Sequence, residues 1–169
     1  MFAGFTAFTW FHTIISIVML VAGIVVTFQL IGNRRLGGWM MIYLVFAILT
    51  SVTGFGFLPI VKLLPSHILA IISLVLLAVA LLARYTFHLA GAWRWIFAVM
   101  VVVTVYFDYF VLMTQLFLKV PSLHALAPLA PDVPQPPFAI AQGLVLAVFA
   151  VLAILAAIKF RPQPALGRI

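Results

Sequence analysis

Five long stretches of this chain, at 1–33, 36–61, 63–83, 95–118 and 133–158, hold one charged residue between them, Asp108. A helix rises 1.5 Å per residue, so about 20 apolar residues cross the roughly 30 Å of bilayer hydrocarbon. Inside that layer a helix satisfies every backbone N–H and C=O within its own segment. The composition agrees: 67% of residues are hydrophobic and 7% charged, where a soluble domain has roughly 45–50% and about 25%. The pattern predicts an all-α transmembrane bundle of five helices over 8–31, 39–60, 67–87, 93–120 and 138–160, forming one transmembrane domain over 1–169.

The basic residues give the orientation. Arg34, Arg35, Arg84, Arg94, Lys159, Arg161 and Arg168 fall at one set of helix ends, and Lys62 and Lys119 at the other. Lysine and arginine are retained on the cytoplasmic side during insertion, so this seven-to-two split predicts the N-terminus outside and the C-terminus in the cytoplasm. The first stretch has no basic segment ahead of it and is longer than the apolar core of a signal peptide, so it reads as a retained helix. Trp10, Trp39, Trp93 and Trp95 fall at predicted helix ends, where indole prefers the headgroup layer. The net charge of +7 is then a consequence of topology, and no basic stripe or motif points to nucleic acid.

Several chemistries lack their residues. The only acids are Asp108 and Asp132, and there is no cysteine. Paired-carboxylate hydrolysis, acid-rich calcium loops, thiolate metal sites and cysteine nucleophiles are therefore excluded. No complete catalytic constellation can be assembled, which leans against an enzyme. Between the fourth and fifth helices a proline-rich outer loop, 121–137, carries Pro128, Pro131 and Pro134 at the three-residue spacing of a polyproline II segment. Ala139, Gly143, Ala147 and Ala150 form a small-residue stripe on the last helix, the kind that lets membrane helices approach within one bundle or between copies.

The remaining polar residues sort by depth. Asp108 is costly in a bilayer and must face protein or water. It stands fourteen residues after Arg94, roughly 21 Å along the helix and hence in the outer half. Thr104, Asp108, Gln115 and Lys119 make one polar face of that helix. His12 and His67 reach the outer boundary on the first and third helices, His124 follows the fourth, and Ser16, Thr50 and Thr53 lie at similar depth. Each histidine alone reads as an interfacial ring satisfied by backbone or water. Together they offer ligands for one b-type haem between His12 and His67, or for copper held by His12, His67 and His124. For Asp108 the readings are a hydrogen-bonded structural acid or a proton- or cation-handling group.

The segments LPSHILAIISLVLLAVALLARYTFHLAGAWRW at 64–95, YFDYFVLMTQLFLKVPSLHALAP at 106–128 and the later PPFAIAQ resemble a group of small proteobacterial integral membrane proteins of uncharacterised activity. The resemblance covers most of the chain and implies a bacterial inner-membrane location, without an activity, cofactor or partner. In those relatives asparagine is the commoner residue where this chain has Asp108, which implies that the carboxylate itself is dispensable there. A looser likeness to di-haem membrane cytochromes rests on histidines at helix ends, but His88 has no histidine partner at the inner face.

These features lead to the expectation of a non-catalytic membrane binding or accessory protein. Its outward-facing pocket is made by His12, Ser16, Thr50, Thr53, His67, Asp108 and Gln115, with His124 placed to fold over it, Thr104 on the same stripe and a small ligand, lipid or partner as occupant. A larger membrane complex or homo-oligomer would form through Ala139, Gly143 and Ala147. The alternatives are an electron-transfer protein carrying haem or copper, and a proton-coupled small-solute carrier using Asp108.

Overall fold

The computed structural model describes residues 7–57, 65–127 and 135–161, and these are helical throughout apart from short connections. Helix α1 is Ala7–Ile31, α2 Gly38–Gly54, α3 Pro65–Leu81, α4 Trp93–Lys119, α5 Pro121–Leu126 and α6 Pro136–Lys159. A tight 3-10 turn, Phe55–Phe57, continues α2, and a widened π turn, Leu82–Thr86, continues α3. Four segments are long and apolar enough to cross a membrane: α1, α3 with its π turn, α4 and α6. That is the architecture of a multi-pass membrane protein.

Helix α2 is shorter than its sequence suggests. It has 17 residues and stops at Gly54, while residues 58–60 of the expected span lie outside the described residues. Glycine weakens a helix by about 1 kcal/mol relative to alanine, and Gly56 has a packing role as well. A Cβ there would stand 2.7 Å from Cζ of Phe8, so the ring of α1 occupies the space of a side chain. The connection expected at 121–137 is also partly helical. Pro121 opens α5 and Pro136 opens α6, each at a first-turn position where its missing N–H costs no helical bond. The proline spacing at 128, 131 and 134 lies outside the described residues.

Cross-contacts fix the directions of the helices. Arg84 Nη2 donates to Leu36 O, Arg94 Nη1 to Phe160 O, and the Arg161 N–H to Asn33 Oδ1. The end of α1, the end of α3, the start of α4 and the end of α6 therefore meet, and Arg34, Arg35, Arg84, Arg94, Lys159 and Arg161 share this basic end. Asn33 allows the chain to leave α1 there: its φ is 51°, in the left-handed region asparagine tolerates, and the Arg34 N–H closes back on Gln29 O at 2.9 Å.

Near the basic end the bundle is tightly packed. Ala22, Val26, Leu30, Met40, Tyr43, Ala47, Ala80, Ala83, Phe97, Ala98, Val101, Val102 and Val105 have almost no exposed surface. Small residues permit this closeness. A Cβ on Gly23 would lie 3.1 Å from both Val105 methyls and 3.2 Å from Tyr43 Cε2. The outward surface is the reverse of a soluble protein, with Ile14, Phe28, Val45, Val75, Leu144, Val151 and Ile158 exposed. Trp10, Trp39 and Trp95 are exposed in the first turns of α1, α2 and α4, as expected of interfacial indoles.

Helix α6 lies against α4 and, less extensively, α1. Gln142 anchors it, with Nε2 donating to Phe110 O at 3.1 Å and reaching Thr114 Oγ1 at 3.4 Å. The buried residues of α6 are Gln142, Phe149 and Ala156. Ala139, Gly143, Ala147 and Ala150 are exposed, so the small-residue stripe points away from the bundle. A Cβ on Gly143 would meet nothing within 4 Å.

Candidate functional site

Away from the basic end the packing opens into a chamber of about 420 Å³ between α1, α2, α3 and α4. Helical periodicity puts Thr9, His12, Thr13 and Ser16 on one face of α1, and that face lines it. Helix α2 contributes Thr50, Ser51 and Gly54; α3 contributes Ser66, His67, Ala70 and Ser73; α4 contributes Phe107, Asp108, Val111, Leu112, Gln115 and Lys119. Exposed Ser66, Gln115 and Lys119 mark its rim. Apolar Met19, Leu20, Leu69 and Leu112 line it between the polar groups. The wall is thus amphiphilic, a few polar groups set in hydrocarbon, which is the usual make-up of a small-molecule site.

Asp108 is held from below. The Tyr43 hydroxyl, rising from the packed core, donates to Oδ2 at 3.2 Å. Tyr109, the next residue on α4, donates to Leu20 O at 3.3 Å and ties this level of α4 to α1. No hydrogen bond reaches the other carboxylate oxygen, Oδ1, among the described residues.

Two chamber-lining hydroxyls of α1 are committed to their own helix. Thr13 Oγ1 donates to Thr9 O at 2.8 Å and Ser16 Oγ to His12 O at 2.7 Å. Each hydroxyl has a single hydrogen, so what remains toward the chamber is lone pairs. The same argument orients His12. Thr53 Oγ1 donates to Leu49 O at 2.7 Å and lies 2.8 Å from His12 Nδ1. A Thr53 hydroxyl that gives its one hydrogen to Leu49 O accepts from Nδ1–H, the tautomer that leaves the ring's lone pair on Nε2. Across the chamber His67 is 2% exposed and stacks on Phe55, with centroids 5.4 Å apart. Thr50 Oγ1 is buried without a hydrogen-bond partner beside the chamber.

The structure thus brings His12, Ser16, Thr50, His67, Asp108 and Gln115 to one cavity. Thr53, Thr104 and His124 fall elsewhere. Thr53 stands behind His12 as its acceptor. Thr104, one turn deeper than Asp108, is 1% exposed and donates to Met100 O in the packed core. His124 rides on α5, where Nδ1 lies 3.3 Å from Phe117 O, and it does not line the chamber. The three-histidine copper arrangement does not assemble, because α5 turns His124 back along α4. Among the described residues no three histidine or acidic side chains gather closely enough for a metal ion.

Sequence reasoning misses Thr9, Thr13, Ser66, Ser73 and Tyr43, whereas it places Lys119 on the polar face that carries Asp108. Steps of three and four from His12 reach Thr9 and Ser16, and from Ser66 reach Ala70 and Ser73, so helical spacing could supply most of these. Tyr43 has no comparable signal in an otherwise apolar stretch of α2. Comparison of the chain with protein-family models, curated proteins and solved structures finds no match.

Proposed function

We propose that this protein is a non-catalytic ligand-binding or accessory protein of a bacterial inner membrane, spanning it five times with the N-terminus outside. The chamber faces the exterior and holds a small ligand or lipid portion. The observation that carries this reading is the chamber itself, an amphiphilic cavity bounded by four helices with His12, His67 and Asp108 in its wall. Two further features support the topology. The basic end gathers six lysines and arginines, the side that positive-inside retention keeps in the cytoplasm. Helix α2 with its 3-10 turn adds up to roughly 31 Å of rise, close to the hydrocarbon thickness.

Native mass spectrometry of detergent-purified protein tests the binding reading. A small molecule retained in stoichiometric amount, and lost when Ala70→Phe fills the chamber, is the expected result; no retained or exchangeable ligand overturns it. The cysteine-free chain allows a parallel test of orientation. Ser66→Cys should react with an impermeant maleimide in intact cells, and Arg35→Cys only after lysis.

One observation favours a second reading, a b-type haem between His12 and His67. Both rings line the same cavity, and His12 Nδ1 pairs with Thr53 Oγ1, the kind of outer-shell contact that orients a metal-ligating imidazole. A Soret band that disappears in His67→Ala would select it.

A further inference from the structure

One acidic side chain, Asp108, lies at depth in the chamber wall. We infer that the chamber's ligand presents a primary ammonium group on a short apolar stem, with the ammonium seated at Asp108. This deepens the ligand-binding reading above and rests on it.

Three observations converge. Tyr43 engages only Oδ2 of Asp108, and no hydrogen bond among the described residues reaches Oδ1, although the residue lines the cavity. The hydroxyls of Thr13 and Ser16 have already donated to Thr9 O and His12 O, so they offer acceptors. An ammonium is all donor, with three N–H groups and no lone pair, and it complements a cavity whose wall holds a carboxyl and spent hydroxyls where an anion or a carbonyl does not. The apolar wall at Leu20, Leu69 and Leu112 matches a hydrocarbon stem.

Among the described residues Lys119 is the one lysine or arginine lining the chamber, and it does not oppose this assignment. It is exposed at the rim, eleven residues beyond Asp108 on the same helix. That separation is roughly 16 Å of rise along the helix, and the exposed ammonium at the rim is hydrated rather than turned into the floor of the chamber. In this assignment the carboxylate supplies preference rather than binding itself. An asparagine at the same position would still accept from Tyr43 and leave a cavity with neutral selectivity.

The test compares hexylammonium, hexan-1-ol and hexanoate binding to the full chain in nanodiscs by isothermal titration calorimetry. Hexylammonium should bind at least tenfold more tightly than hexan-1-ol, and hexanoate most weakly. Asp108→Asn, which keeps the shape and the Tyr43 bond, should reduce the ammonium-to-alcohol ratio to near one while leaving hexan-1-ol affinity within about twofold. If that variant does not fold, the wild-type ranking of the three probes still decides. Equal or weaker binding of the ammonium, or an ammonium preference that survives Asp108→Asn, overturns the inference while the ligand-binding reading stands. Failure of all three probes to bind, with no native ligand retained, overturns both.

Discussion

The Tyr43 hydroxyl meets Asp108 Oδ2 at 3.2 Å, joining the first half of α2 to the middle of α4 at the floor of the chamber. Tyr43 belongs to the packed core and Asp108 to the polar wall, so this bond marks the boundary between the two halves of the bundle. Removing the hydroxyl with Tyr43→Phe leaves the core packed but the carboxylate without its donor. Interhelical hydrogen bonds in membranes are worth about 0.6 kcal/mol on average and up to about 1.7. Thermal unfolding in detergent should show a loss at the upper end of that range for Tyr43→Phe. Asp108→Asn, which can still accept, should cost less. A loss below about 0.3 kcal/mol for Tyr43→Phe would mean that the bond contributes little.

Two glycines make opposite predictions. Gly23 sits where α1, α2 and α4 cross, with the Val105 methyls 3.1 Å from any added Cβ. Gly23→Ala should destabilise by about 1–3 kcal/mol, the range for overpacking a filled core. Gly143 on α6 has open space around it. There Gly143→Ala should be neutral or stabilising by up to about 1 kcal/mol through helix propensity. If the exposed face of α6 joins two copies, Gly143→Leu should shift the mass measured by light scattering without lowering the unfolding temperature of the protomer.

Within its length α6 is tied to α4 by Gln142, while the Arg94 bond to Phe160 O holds its far end. Gln142→Leu removes the bond to Phe110 O and also removes Oε1, which is buried without a partner. These effects oppose each other, so the net loss should be under about 1 kcal/mol. Gln142→Ala adds a cavity and should cost more, about 2 kcal/mol or above. The ordering, read from detergent unfolding curves, is the check.

Thr53 should control the chemistry of His12. Thr53→Val keeps the shape but removes the acceptor for Nδ1–H, while Thr53→Ser retains it. Diethyl pyrocarbonate, with the modified histidine identified by mass spectrometry, should modify His12 several-fold faster in Thr53→Val than in the wild type or Thr53→Ser. Equal rates in all three would remove the assigned orientation of the ring.

Much of this arrangement can be read from spacing, and the exceptions have physical causes. The depth of His12, His67 and Asp108 follows from counting residues against the basic ends, since rise per residue is fixed in a helix. Counting cannot place them in one chamber, because depth does not give rotation about the helix axis. Rotation is set by close packing such as that around Gly23, where contacts with Val105 and Tyr43 leave no freedom. Thr104 shows the limit: it shares a face with Asp108, yet one turn separates the open half of the bundle from the filled half. Helix α5 escapes a reading by pattern because six residues beginning with proline have no periodicity to detect, and it is this helix that carries His124 away. The stripe on α6 is legible as a pattern of small residues, but only the position of Gln142 reveals that it faces outward.

The filled half of the bundle gives the chamber a blind end. Ala22, Tyr43, Ala47, Leu77, Val101 and Val105, almost wholly shielded from solvent, seal the interior between Asp108 and the arginine-rich mouths of the helices. A molecule that enters past Lys119 meets this packed layer, among the described residues, before the basic end. The fold is therefore a cup rather than a conduit, and solute would cross only if that seal parted.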